Sequence, residues 1–238
     1  MNAARMLGVR AAVGGRSDLS RITTEEFLPP EDIPPGYTKL YPLKAVRESI
    51  ILRRYLKYLI RKRGIAPKAL EKHRVGVCLG EAAPFYLVGG IVFPSLDMDH
   101  PGYVVRNKDG GYRHSKGFRR EEAVYNINAL NGRVERSFLV EGPVDSLRMF
   151  PGVAVATFGK DAAQGKPGTM GSQLDRIAEF RDVHLTVAYD GDAHRKAAMV
   201  ARQLRLRGMS NVDWVRLPPA KDPGDLGYDN VCNLPTMT

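Results

Sequence analysis

From residue 134 onward, short apolar runs alternate with segments of helical periodicity. The apolar runs suit buried strands and stand in RSFLVEG (136–142), VAVATFG (153–159), VHLTVAYDGD (183–192) and VDWVRLPP (212–219). Helical segments follow the first three runs, at 143–150, near 169–180 and near 193–208, the last with Ala197, Val200, Ala201 and Leu204 on its inward side. This alternation predicts an α/β fold with a mostly parallel sheet covered by helices on both faces.

A long amphipathic helix is predicted upstream, from Lys44 to Arg63, with Gly64 as its stop signal. Its apolar side is formed by Val46, Ile50, Leu52, Leu56, Leu59 and Ile60. Its other side carries an arginine at every seventh position: Arg47, Arg54 and Arg61. This stripe is either a solvated helix face or a surface that contacts phosphates.

Residues 75–118 are predicted to be rich in irregular β-structure, with Asp109-Gly110-Gly111 as a hairpin turn. Basic residues and tyrosines are interleaved here: Tyr103, Arg106, Lys108, Tyr112, Arg113 and Lys116. Such a pattern suits phosphate contact and base stacking, and an ordinary exposed hairpin has the same composition. Residues 1–40 include the proline-rich LPPEDIPPG (28–36), which resists regular structure, so a tail and linker are predicted there.

The composition narrows the classes of partner. The chain has 238 residues, a net charge of +10 and a pI of about 9.7, which favour a polyanionic partner, nucleic acid first. No apolar stretch is long enough to span a membrane, so no membrane partner is expected. Cys78 and Cys232 stand far apart without a paired-cysteine motif, so neither zinc nor disulfides are expected. A cytoplasmic location fits best.

Acidic side chains follow three of the four predicted strands. Glu141 follows the first strand, Asp190 and Asp192 follow the third, and Asp222 and Asp225 follow the fourth. Asp145 stands one turn into the first helix, near the same edge. Ordinary turn chemistry would explain one such pair, but the carboxyl ends of parallel strands meet at one edge of the sheet. Hard oxygen ligands without His or Cys select Mg²⁺ or Mn²⁺, and two ions about 3.5–4 Å apart would serve phosphoryl transfer.

These residues carry a family resemblance. LVEGPVDSLRM, AYDGD and KDPGD resemble the three motifs of the Toprim domain in DnaG-type bacterial and phage primases. Upstream, GGIVFPSLDMDHPGYVVRN, YRHSKG and AVYNINAL resemble the basic RNA-polymerase subdomain that precedes Toprim in those primases. The resemblance implies a tail at 1–40, an α+β basic subdomain at 41–133, and a Rossmann-like Toprim sheet at 134–238.

The resemblance also implies a function: synthesis of short RNA primers from NTPs on a single-stranded DNA template. It implies Glu141, Asp190 and Asp192 as catalytic metal ligands, with Asp145 and Asp222 close by, and two Mg²⁺ or Mn²⁺ ions as cofactors. The candidates for nucleotide or DNA binding are Arg106, Lys116, Lys160, Tyr112 and Asn126. Lys160 follows the second strand, where an exposed turn lysine is an equal interpretation.

Three departures from the family pattern affect the expected activity. Arg195 stands where the family's D-G-D-x-x-G motif has its last glycine. The zinc module that such primases use for template recognition is not evident, nor is the helical segment that follows Toprim. A minimal core is expected, of the kind found in phage replication genes or produced by a truncated reading frame. A replicative helicase and a separate zinc-bearing template-recognition module are the expected partners.

Two other functions remain open at this stage. A Toprim-type metal-dependent nuclease would use the same acids to activate water, although the upstream basic region favours a primase. A non-catalytic replication subunit that binds nucleic acid would keep the fold, although the intact Glu141, Asp190 and Asp192 argue against it.

Overall fold

The computed structural model describes residues 33–131, 134–149, 153–159 and 171–238, which contain two five-stranded sheets. We call 33–131 the first lobe and the later ranges the second lobe. The strands of the first lobe are β1 (Tyr37–Lys39), β2 (Gly76–Cys78), β3 (Ile91–Pro94), β4 (Tyr103–Arg106) and β5 (Tyr112–His114). Its helices are α1 (Leu43–Glu48), α2 (Ile50–Lys57), a π-helical turn (Tyr58–Lys62), α3 (Pro67–Lys72) and two 3₁₀ turns (Phe85–Leu87 and Ile127–Leu130).

The second lobe alternates strands and helices before a final strand. Its strands are β6 (Ser137–Val140), β7 (Ala154–Ala156), β8 (Leu185–Val187), β9 (Val212–Val215) and β10 (Thr236–Met237). Its helices are α4 (Pro143–Arg148), α5 (Gln173–Ala178), α6 (His194–Leu206), α7 (Pro223–Leu226) and α8 (Tyr228–Cys232). Within the described ranges, no helix is long and apolar enough to cross a membrane.

The sheet of the first lobe is antiparallel and runs in chain order from β1 to β5. This confirms the β-rich prediction for 75–118. The predicted hairpin turn joins β4 to β5, where the Asn107 backbone N–H donates to the Gly111 carbonyl at 2.8 Å. The linker prediction for 1–40 is wrong at its end, because β1 pairs with β2 there; residues 1–32 lie outside the described ranges.

The single helix predicted for 44–63 is divided. Ser49 has an extended backbone that ends α1, and its hydroxyl accepts the Leu52 backbone N–H at 3.3 Å, which caps α2. Serine is a favoured N-cap because its hydroxyl satisfies a free backbone N–H of the first turn. The break rotates the second helix, so that Val46, Leu56 and Leu59 are buried as predicted while Ile50 is 65% exposed.

The sheet of the second lobe has the order β10-β9-β8-β6-β7, and only β10 is antiparallel to its neighbour. Together with the antiparallel sheet of the first lobe, this confirms the predicted α/β class. Ala197, Val200, Ala201 and Leu204 of α6 are all buried, as their spacing predicts. The chain moves from β6 outward to β7, and then from β8 outward to β9 on the other side. The two halves of the sheet therefore diverge between β6 and β8, which is where ligands bind in open α/β sheets.

A buried ion pair joins the two lobes. Asp97, in the loop after β3, is 1% exposed and accepts hydrogen bonds from both terminal nitrogens of Arg176 on α5. Asp97 also accepts the backbone N–H of Val124 at 3.1 Å, and Arg176 donates to the carbonyl of Glu122 at 3.0 Å. Apolar residues of both lobes, such as Phe93 and Phe138, share one core. The orientation of the lobes is thus set by packing and by a desolvated bidentate contact.

Candidate active site

Glu141 and Asp190, which were predicted to follow the first and third strands of the second lobe, are neighbours. Glu141 follows β6, is 6% exposed, and its Oε1 accepts the backbone N–H of Asp190 at 3.3 Å. Asp190 follows β8, the strand that pairs with β6 in parallel. The two acids therefore meet at the divergence point of the sheet.

Gly191 fixes the turn that carries Asp190. A Cβ at this position would lie 2.1 Å from the carbonyl oxygen of Pro218, so only glycine allows the two backbones to approach this closely. The Gly191 backbone N–H donates to the carbonyl of Lys221 at 2.9 Å. This contact brings the segment after β9, which carries Asp222, to the same edge of the sheet.

The pKa of Asp145 is raised by burial and by the other acids at this edge. Burial raises its pKa from 3.8 to about 7, and the carboxylates of Asp222, Asp190 and Glu141 add to the rise, while Arg148 opposes it. Four acids from three chain segments thus lie within electrostatic reach of one another. Such a field attracts a cation.

Arg148 is a cation that the structure places among these acids, and sequence reasoning missed it. Its side chain is 11% exposed and donates to Asp222 at 3.1 Å and to Asp225 at 2.8 Å. It stands three residues after Asp145 on α4, so helical spacing could have assigned it to the acidic edge. The arginine holds α7 against α4, and its charge also opposes the rise in the pKa of Asp145.

The donor atoms suit a hard divalent cation. Glu141, Asp145, Asp190 and Asp222 supply carboxylate oxygens, the ligands that Mg²⁺ and Mn²⁺ prefer. Burial and the neighbouring acids together raise the pKa of Asp145. Asp192 follows one residue after Gly191 with an exposed side chain. Across the described ranges, no three acidic, His or Cys side chains are already grouped as a ligand set. The chemistry of the donors fits, and metal binding remains a prediction.

Basic and aromatic groups of the first lobe face the acids. Arg106 donates to the Tyr112 hydroxyl at 3.1 Å and lies 5.5 Å from its ring centre. Loss of solvent raises the pKa of Tyr112, and Asp145 raises it further while Arg106 opposes. Burial would lower the pKa of Arg63, but its hydrogen bond to Tyr58 and the negative field of Asp222 raise it. Arg63 and Tyr58 were not among the predicted site residues; the helix-end position of Arg63 gave no distinctive signal.

Three other residues that the sequence analysis named lie within the described ranges. Lys116 is exposed after β5, and Arg195 is exposed in the first turn of α6. Asn126 is 7% exposed, and its side-chain amide donates to the carbonyl of Ala154 at 2.9 Å, so it links the lobes. Lys160 lies outside the described residues. Nucleotide or DNA binding by Lys116, Asn126 and Lys160 stays a prediction.

Asp145 predicts a pH dependence of stability in metal-free protein. Because its pKa is about 7 in the folded protein instead of 3.8, the folded state keeps this proton at a pH where the unfolded chain has lost it. The free energy of unfolding is therefore expected to fall as pH rises from about 4 to about 7, by at most about 4 kcal/mol. Asp145→Asn removes this titration and should be more stable than the wild type above pH 7.

Chemical denaturation in EDTA across this pH range measures the effect. Asp182→Asn, at an exposed aspartate before the amino end of β8, is the matched control and should follow the wild type. If the Asp145→Asn curve falls with pH as steeply as the wild-type curve, the assignment of this titration is wrong.

Comparisons with known proteins place the fold among primases. No family model and no curated protein matches the chain. Among solved structures, it is similar to the Aquifex aeolicus primase zinc-binding and RNA polymerase domains, with a TM-score of 0.57 and 23% identity. That match covers 89% of this chain and spans 60% of the Aquifex structure.

Two further structures have the same fold. The primase fragment of the bacteriophage T7 primase-helicase has a TM-score of 0.53 and 22% identity, covering 70% of this chain and 66% of that one. The RNA polymerase domain of Mycobacterium tuberculosis primase DnaG, in complex with double-stranded DNA, has a TM-score of 0.56 and 16% identity, covering 79% and 76%. The chain therefore has the fold of primase catalytic cores.

Proposed function

We propose that the chain is a primase-type nucleotidyltransferase that synthesises short RNA primers on single-stranded DNA. The observation that carries this proposal is the contact between Glu141 and Asp190 at the divergence point of the sheet, with Asp145 and Asp222 within electrostatic reach. A basic and aromatic surface from the first lobe faces these acids. Substrate phosphates need cations on both sides, and this arrangement supports metal on one side and arginine on the other.

The residues divide the work as follows. Glu141, Asp190 and Asp192, aided by Asp145 and Asp222, would hold Mg²⁺ or Mn²⁺, which would neutralise phosphate charge and activate the attacking 3′-hydroxyl. Arg63 and Arg106 would bind NTP or template phosphates, and Tyr112 would orient Arg106. Positioning and charge neutralisation account for most of the catalysis in such reactions.

The direct test is an assay for labelled RNA made from NTPs on single-stranded DNA with Mg²⁺ or Mn²⁺. Oligoribonucleotide products that require both template and metal are expected. A zinc-bearing module or helicase added in trans tests the proposed partners. Degradation of the template without RNA synthesis would contradict the proposal in favour of a metal-dependent nuclease, and binding without either reaction would favour a non-catalytic replication subunit.

Binding of single-stranded DNA is expected to weaken steeply as salt increases, because Lys and Arg side chains release counterions from phosphates. Arg54→Gln, on the exposed basic side of α2, should reduce the slope of log affinity against log salt by about 0.7. Arg202→Gln, at an exposed position of α6, makes the same change in charge and should leave the slope unaltered. Fluorescence anisotropy measures these slopes; a salt-independent affinity would refute the basic-surface assignment.

A further inference from the structure

Two aromatic rings stand exposed on the 3₁₀ turn between β2 and β3. Phe85 is 96% exposed and Tyr86 is 59% exposed. Leu87 of the same turn is 3% exposed and belongs to a small core with Cys78, Val92 and Val105. The buried Leu87 side chain therefore fixes the turn, and both exposed rings stand on an ordered backbone.

Cationic side chains lie beside Tyr86 and in the cavity next to the turn. The Arg113 guanidinium of β5 lies 5.6 Å from the centre of the Tyr86 ring. Val88 and Gly89, directly after the turn, line a cavity of about 710 Å³ between α2 and the β4–β5 hairpin. The cavity is also lined by cationic and aromatic side chains: Arg54, Tyr55, Tyr58, Arg63, Arg106 and Lys108.

We propose that Phe85 and Tyr86 form a stacking platform for unpaired bases of a single-stranded polynucleotide. The rings would stack on the bases, while Arg113 and the cations of the cavity would bind the phosphates that join them. The template is the polynucleotide meant, so this inference rests on the proposed function and adds a base-binding surface to it. A protein partner would meet cations beside the rings, in a chain of net charge +10, whereas a polyanion matches them.

The test distinguishes the contribution of base stacking to the affinity from that of charge attraction to the phosphates. Binding of an oligo(dT) of about 12 nucleotides is compared with binding of an abasic oligomer of equal length and charge. Both measurements are made in EDTA without NTPs, so that a failure of RNA synthesis does not affect them. The wild type should bind oligo(dT) about ten-fold more tightly or better, because stacking needs a base.

The variants identify the rings responsible. Phe85→Ala with Tyr86→Ala should bind both oligomers equally, with the wild-type affinity for the abasic one. Phe85→Tyr with Tyr86→Phe keeps both rings and should keep the preference. Met199→Ala with Leu206→Ala removes exposed apolar side chains from α6 and is the matched control, expected to behave as the wild type. Circular dichroism and melting verify that each variant is folded.

Several outcomes would overturn the proposal. One is a wild type without preference for oligo(dT), and another is an alanine pair that retains it. If the folded variant with Phe85→Ala and Tyr86→Ala lost affinity for both oligomers equally, the rings would not act by stacking on bases. Sedimentation equilibrium measures the oligomeric state. If the wild type is a dimer and the double alanine variant is a monomer, the rings belong to a protein interface instead.

Discussion

Replacing Asp190 and Asp192 together by asparagine is expected to reduce template-dependent RNA synthesis by at least about 10³-fold. Removing one group that stabilises charge in a transition state costs about 10²–10³, and this change removes two anionic ligands. Asp190 lies against Glu141 through its backbone N–H, which the substitution leaves in place. The variant should therefore stay folded while its affinity for Mn²⁺ falls.

The matched control is Glu179→Gln with Asp182→Asn. These exposed acids lie at the amino end of β8, on the opposite edge of the same sheet, and the change alters net charge by the same amount. Synthesis by the control should equal that of the wild type. If the Asp190 and Asp192 variant still makes primers at a comparable rate, the acidic edge is not the catalytic centre.

The second sheet and its acidic edge could be predicted because both depend on local patterns. Strands buried on both faces require continuous apolar runs, and Leu139 and Val187 are indeed 0% exposed. Once the strands were placed, the rule that ligands bind at their carboxyl ends sufficed to bring Glu141 beside Asp190, 49 residues away.

The rest depends on contacts between positions that are distant in sequence. Helical spacing places Arg148 on the same side of α4 as Asp145, but its partner Asp222 is 74 residues away, and no local pattern indicates that contact. The helix break at Ser49 did have a local signal, because serine is a common N-cap. The regular spacing of apolar residues on both sides of Ser49 favoured one continuous helix instead. Ile50, assigned to the buried side of one long helix, faces solvent as a consequence.

The contact between Asp97 and Arg176 was equally beyond prediction from local pattern, and its removal should have the largest effect on stability. Arg176→Met is expected to lower the free energy of unfolding by about 3–5 kcal/mol, because Asp97 would remain buried as a charge without its bidentate partner. The backbone N–H groups of Val124 and Asp99, which also donate to Asp97, carry no full charge and cannot replace a guanidinium. Chemical denaturation measures the loss.

Arg119→Met is the matched control, since it makes the same change at an ion pair whose arginine is 65% exposed. This pair, with Glu122, should contribute less than about 1 kcal/mol. The double variant Asp97→Ala with Arg176→Met should be more stable than the sum of the single changes predicts, because it buries no unpaired charge. Equal costs at the two arginines would show that the interlobe contact is solvated. A large cost confined to Arg176 would instead mean that a desolvated contact fixes the orientation of the two lobes, and with it the position of the basic surface relative to the acidic edge.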